Sequence, residues 1–448
     1  MTASAATSPR RTIAEEFAPL IRRLLGRDLP IALRAWDGSS IGPPDPPVTI
    51  VVHGPRALQH LLWAPGELGL ARAHVAGDLD IEGDVYALLG LRDLVAEPDD
   101  DFRIGLDPAG WWQLAALVRR LDVSIRKPLI PFEESRLRGA LHSRRRDASA
   151  VSHHYDVGND FYQLLLGPSL TYSCAYWAGE DLDLVGAQAA KHELICRKLG
   201  LRHGMRVLDV GCGWGSLAIH AATHHGVRVV GVTISTEQAA LARTRVAEAG
   251  LEHKIDIRVQ DYREVTDGPF DAIASVGMFE HVGQSETATY LRRLRSLVRP
   301  GGRVLNHAIS RPTPAATARI DARSFLGRYV FPDAALLEVG TVVSAAQAAG
   351  LEVRDVQSLR EHYARTLRAW SANLEAQWDE AQRLVGPGRA RVWRLYLAGS
   401  AIGFDQNRHS VHQVLAVRAH PDGRSEMAPT RAGLDIDAQH PVSGGGVG

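Results

Sequence analysis

No uninterrupted apolar run in this chain approaches the roughly 18 residues that a bilayer-spanning helix needs. The opening MTASAATSPRRT carries charge but is followed by no apolar stretch of the kind that marks a secretory signal. Cysteine is scarce: Cys174, Cys196 and Cys212 cannot all pair, and none has the sequence spacing of a zinc site, so no disulfide framework and no metal are expected. Charge of one sign is also missing. Lys plus Arg and Asp plus Glu are 51 each, and no whole-chain field calls for nucleic acid or a membrane. The expectation is a soluble chain of a reducing cytoplasm, and 448 residues allow two or three domains.

What is present is concentrated first in VLDVGCGWGS, Val207 to Ser216. A run of apolar β-formers ends in Asp209 and turns through Gly211, Gly213 and Gly215, with Trp214 between the last two, into a helical pattern. Glycines there adopt backbone angles closed to other residues and let the chain approach a ligand where a helix begins. Such a loop alone serves NAD, a flavin or a tight turn equally well. VRVVGVTIS (Val227 to Ser235), DIRVQDY (Asp256 to Tyr262) and FDAIASVGMFEHVG (Phe270 to Gly283) read as three further buried strands with helical patterns between them. The second ends in Thr-x-Ser and not in the ribose-binding acid of NAD enzymes. That combination resembles the S-adenosylmethionine-dependent methyltransferases.

A narrower resemblance rests on ordered strings: HYDVGNDFY (His154 to Tyr162), TYSCAYW (Thr171 to Trp177), LDVGCGWG, GVTIS, QDYRE, SVGMFEHVG, YVFP (Tyr329 to Pro332) and HYARTLRAW (His362 to Trp370). Together they resemble the cyclopropane-fatty-acid-phospholipid synthases, and ARAHVAGDLDIEGD (Ala71 to Asp84) is similar, more loosely, to that family's smaller domain. The resemblance implies an α/β fold: a Rossmann-like class I methyltransferase domain with a smaller N-terminal α+β, sterol-carrier-like domain. The expected division is a disordered 1–12, a lipid-associated domain over 13–101, a basic linker over 102–147, the catalytic domain over 148–418 and a disordered 419–448. Within the small domain, Ile13 to Arg27 has helical spacing, VTIVV (Val48 to Val52) reads as a strand, and a short helix starts at Pro55.

From Arg119 to Asp147 nine basic residues, Arg144, Arg145 and Arg146 among them, face four acidic ones, a local balance of +5 just after Trp111 and Trp112. One reading is a solvated linker. The other is a patch that meets anionic head groups, where each cation near a charged surface contributes about 1 kcal/mol. No helix-turn-helix or aromatic-interleaved pattern supports nucleic acid.

At the site, backbone groups from Gly211 to Gly215 suit the amino-acid portion and ribose of the cofactor, and Asp209 suits the loop or the methionine ammonium. The resemblance places Tyr172 and Ser173 over the methionine part, Thr233, Ser235 and Gln238 near the ribose, and Asp261 and Tyr262 near the adenine. It implies addition of a methyl carbon across a cis double bond of an unsaturated phospholipid acyl chain, by a homodimer that is peripheral on the inner face of the cell membrane. An isolated alkene cannot be activated by deprotonation, so it must be aligned against the electrophilic methyl with water excluded, and the resulting cation must lose a proton. In the family the base is a bound bicarbonate, and the residues that hold it correspond here to Cys174, Glu280, His281, His307, Ile309 and Tyr363. Each alone reads equally as structural: a buried thiol, a helix cap, a core tyrosine. Many of these synthases carry a cysteine where Ser400 stands, so covalent thiol catalysis at that position is excluded. The competing readings are a methylene-branching fatty-acyl C-methyltransferase, a methyltransferase for a soluble small molecule, and a non-catalytic lipid-binding protein with a relic fold.

Overall fold

The computed structural model describes residues 11–25, 30–91, 107–135, 157–312, 320–321, 324–331, 336–431 and 433–435. The expectations placed on residues 1–10, His154, Pro332, the arginines 144–146 and residues 436–448 lie outside these. Two compact units result: residues 1–135 with 323–329 and 386–399, and the remainder.

The first unit holds β1 (Ala32–Arg34), β2 (Ser40–Ile41), β3 (Val48–Val52) and β4 (Leu79–Gly83) in the order β2-β1-β3-β4, with β1 parallel and β4 antiparallel to β3. The expected helix at Ile13 ends at Leu25, and that from Pro55 spans Arg56–Trp63. The linker expected from residue 102 is corrected. Asp107 caps the helix Pro108–Arg120 by accepting from Gly110 N–H at 2.8 Å, and Leu114, Leu117 and Val118 enter the same core as Phe17 and Leu58. Two of the four acids in the basic stretch also turn inward. Glu134 pairs with both nitrogens of the Arg72 fork at 2.8 Å, and Glu133 is buried, while Ile125, Leu129 and Phe132 are left 71%, 90% and 84% exposed.

The second unit is built on a seven-stranded sheet of order β10-β11-β9-β8-β5-β6-β7: β5 (Arg206–Val210), β6 (Arg228–Thr233), β7 (Ile255–Val259), β8 (Phe270–Val276), β9 (Val298–Ser310), β10 (Glu352–Ser358) and β11 (Ser410–Val417). β5 to β9 are mutually parallel where they pair, and β11 runs antiparallel to β9 and β10. The central strands are apolar on both faces because helices cover both, as a parallel sheet requires. From β5 the chain builds outward to β6 and β7 on one side and to β8 and β9 on the other. The order reverses between β5 and β8, and a crevice opens there at the carboxyl ends of the strands.

The stretch after Arg418, expected to be disordered, packs against the second unit at residues 419–431 and 433–435. Arg299 pairs with Glu426 at 3.0 Å, Arg431 with Asp355, and Leu434 is buried in the core beneath β5 and β6. Periodicity is blind to such a segment because single side chains anchor it, not a repeating face.

Candidate active site

Asp209 is the penultimate residue of β5, inside the sheet. It is almost wholly enclosed, burial drives its carboxyl up to about 7 against the pull of Lys191, and its Oδ2 has no hydrogen-bond partner. The next residues turn back on β6: the N–H groups of Gly211 and Cys212 both donate to Val232 O, at 2.9 and 3.1 Å. Gly211, at φ +80°, lies where a Cβ would come within 3.0 Å of Met278, whereas Gly213, at φ +53°, faces open space. Gly215 takes the left-handed conformation as the cap of the helix Ser216–His225.

The crevice is lined by Tyr172, Ser173, Asp209, Gly211, Gly213, Trp214, Thr233, Gln238, Asp261 and Tyr262, ten of the twelve residues assigned to the cofactor. Gly215 and Ser235 stand behind the lining as helix caps, Ser235 Oγ accepting from Gln238 N–H at 3.2 Å. Thr233 donates its hydroxyl to Gln238 Oε1 at 3.0 Å, which fixes both side chains at the end of β6. Trp214 is held by its indole N–H on Asn159 Oδ1 at 2.9 Å, with its ring 4.8 Å from that of Tyr162. Asp261 Oδ1 accepts from the Arg263 backbone N–H at 2.9 Å and from its Nε at 2.8 Å.

Two contributors escaped sequence reasoning. On the helix Leu184–Leu199, which Asp183 caps, Gln188 donates to Thr171 O and Ser173 O at 3.3 and 2.9 Å, and Lys191 Nζ donates to Ser173 Oγ at 3.0 Å. Both side chains are almost fully buried, Lys191 lines the crevice, and burial lowers its ammonium to about 7. The available signal was their i,i+3 spacing, one turn apart among Ala187, Leu194 and Ile195.

The six residues matched to an anion site divide differently. Only His281 lines the crevice, where burial lowers its imidazole. Glu280 is buried beside it in a short turn, Phe279–His281, and Ile309 N–H on β9 donates to its Oε1 at 2.7 Å. Glu280 Oε2 has no partner, and burial raises the carboxyl to about 7. His307, two residues earlier on β9, receives the Gln413 amide at Nδ1 at 3.2 Å. Its Nε2 is buried without a partner, and burial lowers the ring to about 3, so it is neutral. Cys174 is fully buried, its thiol pushed up by burial and donating to the carbonyls of Ala175 and Leu359 at 3.1 and 3.6 Å. Tyr363 N–H donates to that same Leu359 carbonyl at 3.0 Å, and its ring packs 4.7 Å from Phe404.

Residues 142–414 match the family model of the mycolic acid cyclopropane synthetases. The chain belongs to that family. A probable fatty acid methyltransferase of Mycobacterium tuberculosis is 42% identical over 89% of this chain and 93% of its own length. The cyclopropane-fatty-acyl-phospholipid synthase of Escherichia coli is 36% identical over 70% of this chain and 82% of its own. Among solved structures, the mycolic acid cyclopropane synthase CmaA1 with SAH and CTAB has a TM-score of 0.56 at 34% identity, over 60% of this chain and 97% of that one. As in this family, the chain is an S-adenosylmethionine-dependent methyltransferase with the class I fold.

Proposed function

We propose that the chain transfers the methyl carbon of S-adenosylmethionine to the double bond of an unsaturated phospholipid acyl chain and closes a cyclopropane ring. The observation that carries this reading is the pair of unsatisfied buried atoms, Glu280 Oε2 and His307 Nε2, anchored to neighbouring positions of β9 beside the cofactor crevice. Loss of a proton from a carbocation needs a base held where water is excluded.

The donor set fits a small oxyanion. Because His307 Nδ1 faces the Gln413 amide nitrogen, the ring proton belongs on Nε2, which makes that atom a neutral donor. Glu280 Oε2 supplies an acceptor for the hydroxyl of bicarbonate. Bicarbonate, when bound, would supply a base of suitable strength, and Glu280 and His307 would orient it. S-adenosylmethionine would be held in the crevice, where Lys191 and Gln188 fix the segment Thr171–Ser173.

Access to lipid is supported by the first unit, where Trp112, Ile125, Leu129 and Phe132 are exposed close in sequence to Arg126 and Lys127. Such apolar side chains beside cations suit the boundary of an anionic bilayer on the inner face of the cell membrane. Among the described residues no helix is long and apolar enough to cross a membrane. The homodimer belongs to the same proposal.

A second reading is formation of a methylene-branched chain, in which a hydride shifts along the chain and the same cation then loses a proton from the added methyl; the relative that is 42% identical is named a fatty acid methyltransferase, which this reading also fits. Incubation with S-adenosylmethionine and monounsaturated phospholipid vesicles, followed by proton NMR of the fatty esters, separates them. Upfield ring protons support cyclopropanation, vinylic protons of an exocyclic methylene select the second reading, and no product overturns both.

A further inference from the structure

Behind the cofactor crevice the helices Leu184–Leu199 and Ser216–His225 pack side by side, and their facing surfaces carry Glu193, Cys196, His220 and His225. The Cys196 thiol sulfur and one ring nitrogen from each of His220 and His225 all lie within 4.8 Å of one another. Glu193 Oε2 is 3.4 Å from His220 Nε2 and 2.9 Å from His225 Nε2, while its other oxygen accepts from Arg197 Nε at 2.8 Å. His225 is the last residue of its helix, and Gly226 then leaves in the left-handed conformation. Five residues of regular helix would turn His220 and His225 about 140° apart, so linear spacing conceals the convergence.

We propose that Cys196, His220 and His225, with the Glu193 carboxylate, form a structural binding site for a borderline divalent cation, zinc in first place. A soft thiolate, two imidazoles and a carboxylate are the donor set that selects zinc over magnesium or calcium. With zinc bonds of 2.0–2.3 Å, neighbouring ligand atoms of a tetrahedron lie roughly 3.3–3.8 Å apart, so atoms up to 4.8 Å apart need to close by about 1–1.5 Å at most. Binding displaces the Cys196 thiol proton to solvent, and the Glu193 carboxylate balances the remaining charge as ligand or as the partner of a ligating imidazole. His220 and Cys196 are buried while His225 keeps an exposed edge, so the site has a dry interior and an entry path. A cation there ties the helix that follows the glycine loop to the helix that carries Lys191, and thereby braces the crevice from behind.

The test uses the full chain without a polyhistidine tag, stripped with chelator and then dialysed against zinc or cobalt(II). One equivalent of zinc is expected to remain, with a rise in Tm, and the cobalt form is expected to show thiolate-to-cobalt charge transfer in the near ultraviolet. Cys196→Ser should abolish that band, His225→Ala should remove both the retained zinc and the Tm rise, and His224→Ala, at an exposed neighbour, should keep all three. Glu193→Gln should weaken zinc binding about 10- to 100-fold. Cobalt binding with no thiolate band, or zinc retention undiminished in His225→Ala, would overturn the proposal and leave a hydrogen-bonded Glu193–histidine cluster. His225 lies at a helix end, so its variant remains informative should Cys196→Ser fail to fold.

Discussion

Ile309 N–H donates to Glu280 Oε1 at 2.7 Å, so a side chain from the turn after β8 occupies a hydrogen-bond position at the end of β9. The bond holds the carboxylate rigid and leaves its second oxygen for another partner. Glu280→Gln preserves the shape and removes the negative charge. Its turnover should fall about 100- to 10,000-fold, the range for loss of a catalytic base, while S-adenosylmethionine affinity measured by calorimetry stays within a few-fold. His307→Gln and Tyr363→Phe should regain part of their lost activity when bicarbonate is raised. The parent should slow reversibly when dissolved carbon dioxide is stripped, and a full rate in a verified carbonate-free assay would make Glu280 the direct base.

The same residue has a stability signature. Glu280 is raised from 4.5 to about 7, so the folded state holds its proton more tightly than the unfolded chain does, and the stability it lends below pH 4.5 is lost as pH rises through 7. His307, lowered from 6.5 to about 3, acts in the opposite sense and costs stability as pH falls from 6.5 toward 3. The Tm of Glu280→Gln minus that of the parent should therefore grow between pH 5 and 8. A difference independent of pH would mean that Glu280 does not titrate in this window.

Gly213, at φ +53° with open space beyond its Cα, admits a side chain without a clash but directs it toward the cofactor. Gly213→Asp should keep the fold, with a stability loss of about 1–2 kcal/mol for a non-glycine residue in the left-handed region, yet abolish measurable S-adenosylmethionine binding. Gly211→Ala should cost more stability, because Met278 occupies the space its methyl needs. Unchanged cofactor affinity in Gly213→Asp would remove the loop from the binding site.

What the sequence made legible is what is local. The strand that carries Asp209, the glycine turn and the following helix are contiguous, and hydrophobic runs marked β5 to β7 within a few residues because parallel strands are buried on both faces. The fourth run, read to Gly283, leaves the sheet at Val276 and turns through Phe279–His281. β9 was hidden by the Pro300-Gly301-Gly302 interruption, which reads as a turn but is absorbed as a register shift against β8. Lys191 and Gln188 were hidden because a buried polar group is recognisable only from its partners, which lie 15 to 18 residues away. The packed segment beyond Arg418 and the convergence of Cys196 with His220 and His225 depend on contacts between separate elements. Resemblance named Glu280 and His307, but only the structure shows that each has one atom bonded and one unsatisfied.

Leu129 and Phe132 are almost fully exposed in a segment whose two acids, Glu133 and Glu134, are buried. That arrangement presents apolar side chains with cations and hides the anions. Replacing both with serine should weaken binding to anionic vesicles by about 10-fold or more in a sedimentation assay, since burying each large apolar side chain is worth about 1.5–3 kcal/mol. Activity on detergent-dispersed lipid should change little. Equal vesicle binding by variant and parent would show that this surface does not meet the bilayer.

Lys191 and Asp209 confront each other electrostatically within the crevice, and burial has brought both to about 7 from opposite directions. S-adenosylmethionine carries an ammonium and a carboxylate on its amino-acid portion, so a lysine and an aspartate enclosed at its binding end can serve it as complementary charges. Asp209 must be ionised to attract the ammonium. Cofactor affinity should therefore fall as pH drops below about 7, with stability moving the other way, because protonation of Asp209 relieves its buried charge. Lys191 holds the Asp209 carboxyl down, so Lys191→Met should shift the acid limb of the affinity profile upward by about one pH unit or more and weaken binding near neutrality. A lysine that merely positioned Ser173 would weaken binding equally at every pH. Calorimetric titrations of parent and variant from pH 5.5 to 8.5 distinguish the two, and an acid limb at the same pH in both proteins would leave Lys191 only its hydrogen bond to the Ser173 hydroxyl.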